Sequence, residues 1–223
     1  PQPAGPASVV DPALPAGEPG PAAPASQPRK VRDIVRHLLR CESATEAQPV
    51  ADACVARWLG WARRLAYLHR KGWPTSYATG VLGDFIAARH RAEVGRYRPL
   101  ARAPAVDRAF CRWTLLQLAP AILVDGAWLA GSAGAAETLT ASDRHLLQIL
   151  VDELGEGRPD WHHPNVYRRL LESQGIALPE LADPAFVDQP GCMNAAFDIP
   201  ACLLAMGLAG ERFRAERLGL NLA

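Results

Sequence analysis

From Arg29 onward the apolar residues recur at helical spacing. Val31, Ile34, Val35, Leu38 and Leu39 form one stripe. Val50, Cys54, Trp58, Leu59, Leu65 and Leu68 form a longer one, with Arg57, Arg63, Arg64 and Arg70 on other faces. Gly72-Trp73-Pro74 breaks that pattern. A third helix is predicted from about Tyr77 to Val94 and a fourth from Ala105 to Leu118. Pro120 opens or kinks the next, which runs through Leu129. The small residues Ala130 to Ala136 read as a loop. Thr140 or Ser142 can cap the helix that carries His145 to Leu154, and Gly155, Gly157 and Pro159 end it. Pro164 suits the first turn of a helix to about Ser173. Residues 175–195 are punctuated by Pro and Gly and read as loop, before a last pair of helices over Phe197–Ala209 and Arg212–Leu222. No run alternates with the period of a strand, and no segment repeats. The expected fold class is all-α.

Residues 1–28 break with this pattern. They hold nine of the 20 prolines, many Ala and Gly, and no aromatic residue. Such a stretch buries too little apolar surface to offset chain entropy, so it is expected to be a disordered Pro/Ala/Gly-rich tail or linker. It lacks the basic and apolar blocks of a signal peptide. The expected organisation is therefore a linker over 1–28 and one helical domain over 29–223.

Composition narrows the function. Of 223 residues, 49% are hydrophobic and 21% charged, enough for a sizeable core. The net charge of +1 argues against a bulk nucleic-acid binder. The balance hides an asymmetry: residues 29–112 carry 17 basic and 7 acidic side chains, and residues 113–223 carry 7 and 14. These read as two solvated surfaces of opposite sign that help the halves dock. Five cysteines at irregular spacings, with no C-x-x-C, suit a reducing compartment, so a cytoplasmic location is expected. The most apolar stretch, Thr114 to Gly131, is interrupted by Gln117, Pro120 and Asp125 and reads as a buried helix rather than a membrane span.

Phosphate-loop, nucleophile-elbow, zinc-protease and dinucleotide motifs are absent, as is the Glu-x-x-His of ferritin-like bundles. His90 and Glu93 give only the reverse order. Trp58, Trp61, Trp73, Trp113 and Trp128 are expected in the core rather than on a base-stacking platform. The informative residues are carboxylates on apolar faces. Glu153 shares a helical face with Leu146, Ile149 and Leu150. Asp125 has Ala121, Ile122, Trp128 and Leu129 at helical neighbour positions. A buried carboxylate needs an arginine, a hydrogen-bond network or a metal ion. Arg112, Arg158 and Arg168 are the candidate arginines. His163 follows Glu153 by ten residues, and the turn after Gly155 lets the chain reverse so that the two face each other. Such a pair is an iron or manganese half-site, or else His163 merely caps its helix or packs in the turn.

From about residue 100 to 223 the chain resembles the haem-oxygenase-like iron-containing redox enzymes, also described as haem-oxygenase-like diiron oxidases and oxygenases. The segments that carry the likeness are Leu123-Val124-Asp125-Gly126-Ala127-Trp128-Leu129 and Asp152-Glu153-Leu154-Gly155-Glu156-Gly157 with His163-Pro164-Asn165-Val166-Tyr167. Pro200-Ala201-Cys202-Leu203-Leu204 and Leu218-Gly219-Leu220-Asn221-Leu222 add to it. The resemblance implies a partial haem-oxygenase-like helical bundle that binds two non-haem irons and activates O2. The substrate class it implies is a small amine, amino acid or fatty acid; from the charge balance and the interrupted apolar stretch, neither nucleic acid nor membrane is an expected partner. The resemblance also implies that Glu153 is a bridging carboxylate and His163 a ligand of the first iron. The first carboxylate falls to Asp125, or alternatively to Glu137. The family's later His…Asp…His ligand set has no counterpart before Ala223, so the remainder of the protein or a second copy is expected to complete the site. Asp160, Arg158 and Asn165 are candidates to hold the His163 ring. Two further readings stand beside this one: a metal-free helical interaction module, and a haem protein with His37 as the axial ligand.

Overall fold

The structure is a computed structural model that describes residues 30–69, 74, 76–99, 107–133 and 140–222. The expected tail over 1–28, the break at Gly72-Trp73 and Glu137 lie outside the described residues. Among those described, every regular element is helical. The α-helices are α1 (Lys30–Arg40), α2 (Ala44–His69), α3 (Thr79–Arg96), α4 (Arg108–Ile122), α5 (Ala141–Glu153), α6 (His163–Ser173), α7 (Pro184–Val187), α8 (Asp198–Leu208) and α9 (Arg214–Leu222). Three 3-10 segments, Ala127–Ala133, Asn194–Phe197 and Gly210–Phe213, lie between them.

The centre belongs to α8, whose composition is apolar on nearly every face. It packs against α1, α2, α4 and the 3-10 segment Ala127–Ala133. The contact with that segment is backbone on backbone: a Cβ added at Gly207 would lie 2.0 Å from the carbonyl oxygen of Ala127. On its other sides α8 meets Val31, Val35 and Leu38 of α1 and the small residues Ala47, Ala51 and Cys54 of α2, all buried. The α1 stripe is therefore as expected.

The α2 stripe is only half right. Ala47, Ala51, Cys54 and Val55 are buried, and Trp58 and Leu59 are packed against them, but Leu65 and Leu68 are exposed. Length explains it. α2 has 26 residues, about 39 Å, whereas α8 has 11, about 17 Å, so the far end of α2 runs past its partner. Trp61 sits on that overhang, and Trp113 faces outward from α4, so neither is a core residue; Trp128 is. The helix expected near Tyr77–Val94 forms as α3, yet none of its residues is buried.

Two further expectations change. Pro120 neither opens nor ends a helix but sits buried in the last turn of α4, and the chain beyond it is a turn followed by 3-10 rather than α-helix to Leu129. The apolar stretch from Arg108 to Ala130 is long and apolar enough by composition to cross a membrane, but that turn divides it. Within 175–195, Asp183 caps the short α7 by accepting the Ala185 N–H at 2.8 Å.

Polar side chains tie the periphery down. Arg32 of α1 donates to the carbonyls of Val187 and Cys192 and, at 2.7 Å, to Asn194 Oδ1, with its guanidinium 4.4 Å from the Phe197 ring centroid. Thr140 caps α5 in a capping box with Asp143. Arg214 of α9 joins the box, donating to Thr140, Ser142 and Asp143. The hydrogen bonds from Thr140, then Arg214, hold the Asp143 carboxyl below its ordinary range.

The α8 contact gives a sharp test. Gly207→Ala should lower unfolding stability by about 1–3 kcal/mol, because a carbonyl cannot rotate aside as a side chain can. Gly219→Ala in α9, with nothing within 4 Å of the added Cβ, should be neutral or stabilise by up to about 1 kcal/mol. Urea denaturation of both variants checks the contrast.

Candidate metal centre

Three separate segments bring Asp125, Glu153 and His163 together. The first is the turn after α4. The Val124 and Asp125 N–H groups bond back three residues, at 3.2 Å, to Ala121 and Ile122. This tightens the chain and turns Asp125 off the helix axis. Its Oδ1 accepts the Gly126 N–H at 3.1 Å. Gly126 has φ +81°, and a Cβ there would lie 3.0 Å from the Glu153 Cβ. Both the conformation and the close approach of the Glu153 stem therefore demand glycine.

Glu153, the last residue of α5, is the second contribution. Leu146 below it is buried, and Ile149 and Leu150 pack on the core, so the apolar face read from the sequence is real. Asp152 points outward. The third contribution depends on Gly155 (φ +73°), Glu156 (φ +53°) and Gly157 (φ +78°), three successive left-handed residues. A Cβ on Gly155 would lie 2.4 Å from the His162 backbone nitrogen, because residues 158–162 fold directly back over the end of α5. His163 then begins α6 beside Glu153, with Pro164 in the first turn.

His163 Nδ1 lies 2.5 Å from Glu153 Oε2 and 3.5 Å from Asp125 Oδ2. One donor atom from each of the three residues falls within 4.8 Å of the other two. Side-chain exposure grades the site: 17% for Glu153, 36% for Asp125 and 43% for His163. Glu153 forms the floor, and the other two form an open mouth. Glu153 Oε2 is buried and has no hydrogen-bond partner in acceptable geometry, despite the nearness of His163.

The electrostatics follow from this crowding. Burial, and then the charge of Asp125, push the Glu153 carboxyl above its ordinary value, while His163 pulls it back. Burial draws the His163 imidazole down, but the Glu153 and Asp125 carboxylates outweigh it and raise the group overall. A cation among the three would relieve the strain between the two acids.

The arginines suggested by the sequence are engaged elsewhere. Arg112 donates to the Gln174 and Gly175 carbonyls, Arg158 stacks 3.6 Å from the Trp161 ring centroid, and Arg168 pairs with Glu180 at 3.1 Å. The expected supports of the His163 ring also differ. Asn165 donates to the Pro159 carbonyl and Asp160 pairs with Arg169, so the group actually beside the ring, apart from Glu153, is Asp125. His90 and Glu93 lie on α3, which buries none of its residues, and Glu93 pairs with Arg96 there. The reversal expected after Gly155 is present, whereas sequence reasoning missed the part that Gly126 plays in the site. The Asp-Gly pairing was the available signal.

An all-α fold with two carboxylates and an imidazole gathered at helix ends defines a candidate metal protein. Residues 112–223 match the family model of the iron-containing redox enzymes, so the chain belongs to this haem-oxygenase-like family, and iron-dependent redox chemistry comes with that membership. No curated protein and no solved structure matches the chain.

The raised imidazole sets the pH response of the metal-free protein. A group whose folded pKa lies above its unfolded value, ~6.5 for histidine, stabilises below that value and loses its contribution as pH rises through the folded one. With chelator present, the stability advantage of the wild type over His163→Gln should therefore be fully present below ~pH 6.5 and shrink as the pH rises above it. Denaturant midpoints on either side of that pH measure it.

Proposed function

We propose that Asp125, Glu153 and His163 hold non-haem iron, and that the protein is an O2-dependent oxidase or oxygenase. Its substrate in this reading is a small amine, amino acid or fatty-acid-like molecule. The observation that carries the proposal is the convergence of three donor atoms within 4.8 Å around the buried Glu153 carboxylate oxygen. Two carboxylates and one imidazole suit Fe(II), and Mn(II) as the alternative, better than a soft ion. Iron held there would supply the electrons and the open coordination positions that O2 reduction requires.

The chain's own residues do the rest. Glu153 presents its charge from the floor, where Leu146, Ile149 and Leu150 keep water from its stem. Asp125 braces the His163 ring at 3.5 Å and adds a second negative charge. Asp125 and His163 are partly exposed, so the site opens to solvent. A two-iron centre needs further ligands, and among the described residues no other His, Cys, Asp or Glu joins these three. A second copy or additional sequence provides them in this reading. The metal-free module would rest on arginine partners for the acids, and the three candidate arginines are occupied elsewhere.

Anaerobic Fe(II) titration tests the proposal. Iron should bind and raise the melting temperature, and Glu153→Ala or His163→Ala should each weaken binding by more than about tenfold, the scale already set by loss of outer-sphere partners. Equal binding in the variants, or none in the wild type supplied with its missing ligands, overturns it.

A further inference from the structure

A second set of donors lies far from these residues in sequence, at the corner between α1 and α2. His37 and Cys41 are one helical turn apart, and the Cys41 N–H extends the α1 hydrogen-bond ladder to the His37 carbonyl at 3.0 Å. Both side chains therefore project from one face. His37 Nε2 and Cys41 Sγ stand 3.3 Å apart. Three residues link α1 to α2, and the last of them, Ser43, lies just before α2 and accepts the Glu46 N–H on its hydroxyl at 3.3 Å. That places Glu46 in the first turn, and its carboxylate reaches the pair. One ligand atom from each of the three lies within 4.8 Å of the others. His37 and Cys41 are half-buried and Glu46 is exposed, so the group is accessible.

We propose that His37, Cys41 and Glu46 form a separate site for a thiophilic divalent ion of the zinc class, which clips the α1–α2 corner and leaves one coordination position open. The donor chemistry separates it from the iron reading. One thiolate, one imidazole and one carboxylate match the mixed sulfur, nitrogen and oxygen sets of tetrahedral zinc, whereas Asp125, Glu153 and His163 offer no sulfur. The spacing agrees as well. A tetrahedral ion with bonds of ~2.3 Å to sulfur and ~2.0 Å to nitrogen holds those atoms about 3.5 Å apart. The observed 3.3 Å needs a shift of only a few tenths of an ångström. The site also lies outside residues 112–223, so it belongs to the part of the chain that the family match does not cover. Binding would brace α1, the helix whose Arg32 anchors the segment from Val187 to Asn194.

Cobalt(II) is the probe, added to the full reduced chain under anaerobic conditions. A thiolate-to-cobalt charge-transfer band with the ligand-field bands of a four-coordinate ion is expected, and zinc should displace it. The band should persist in the Glu153→Ala, His163→Ala double variant, so it reports on this site whatever becomes of the iron reading. It should vanish in Cys41→Ser. A second measurement needs no variant: zinc should slow alkylation of Cys41 in the unmodified chain and leave the exposed Cys111 unaffected. Absence of the band in the wild type, its survival in a folded Cys41→Ser variant, or equal alkylation of Cys41 with and without zinc overturns the proposal.

Discussion

Everything the candidate centre needs hangs on a backbone reversal at the end of α5. Three consecutive residues adopt left-handed conformations, and the middle one is Glu156, which lacks glycine's freedom. Their neighbours hold them there. Residues 158–162 lie so close to Gly155 that any side chain at that position would strike backbone. An ordinary helix-ending glycine would let the chain leave in many directions. Here the chain returns over the end of α5, which sets His163 at the start of α6 within reach of Glu153. The rest of α6 is then anchored on α4 through the Tyr167 hydroxyl, which donates to the Leu115 carbonyl at 2.7 Å, and through Arg112.

The opposite wall of the centre depends on a different close approach. α8 presses its Gly207 backbone against Ala127, which seats the 3-10 segment Ala127–Ala133 between α8 and α5. Trp128 and Leu129 are buried there. The turn just before that segment carries Asp125 and Gly126, and Gly126 allows Glu153 to pass at contact distance. Two glycine contacts, one structural and one at the centre, therefore place two acids side by side. Burial, and then the charge of Asp125, push the Glu153 carboxyl above its ordinary value. Folding tolerates that cost where a cation or proton is available to the site.

The amino-terminal helices have a different character. α1 and the first half of α2 complete the core around α8, but the far half of α2 and all of α3 remain outside it. This is also the arginine-rich portion of the chain, with 17 basic residues between Arg29 and Arg112. The two candidate donor sets divide along the same line. The set containing sulfur sits at the α1–α2 corner, and the set built on carboxylates sits where α4, α5 and α6 meet.

Periodicity alone determined the all-α class, the order of the long helices and the inward stripe of α1, because side chains three and four apart must share a helical face whatever the partner. It also marked Glu153 as an acid on an apolar face and His163 as the start of the next helix. The tertiary structure decided what lay beyond a single helix. The buried length of α2 followed from the shortness of α8, so Leu65 and Leu68 stayed in solvent although their pattern matched a core stripe. Asp125 reached Glu153 not from a continuous helix face, as its spacing suggested, but from a turn that interrupts the helix. The same limit kept Gly126 hidden as part of the site, although the turn after Gly155 was legible. A left-handed glycine looks like any other glycine until the atoms that would collide with its Cβ are in place, and those atoms come from distant parts of the chain.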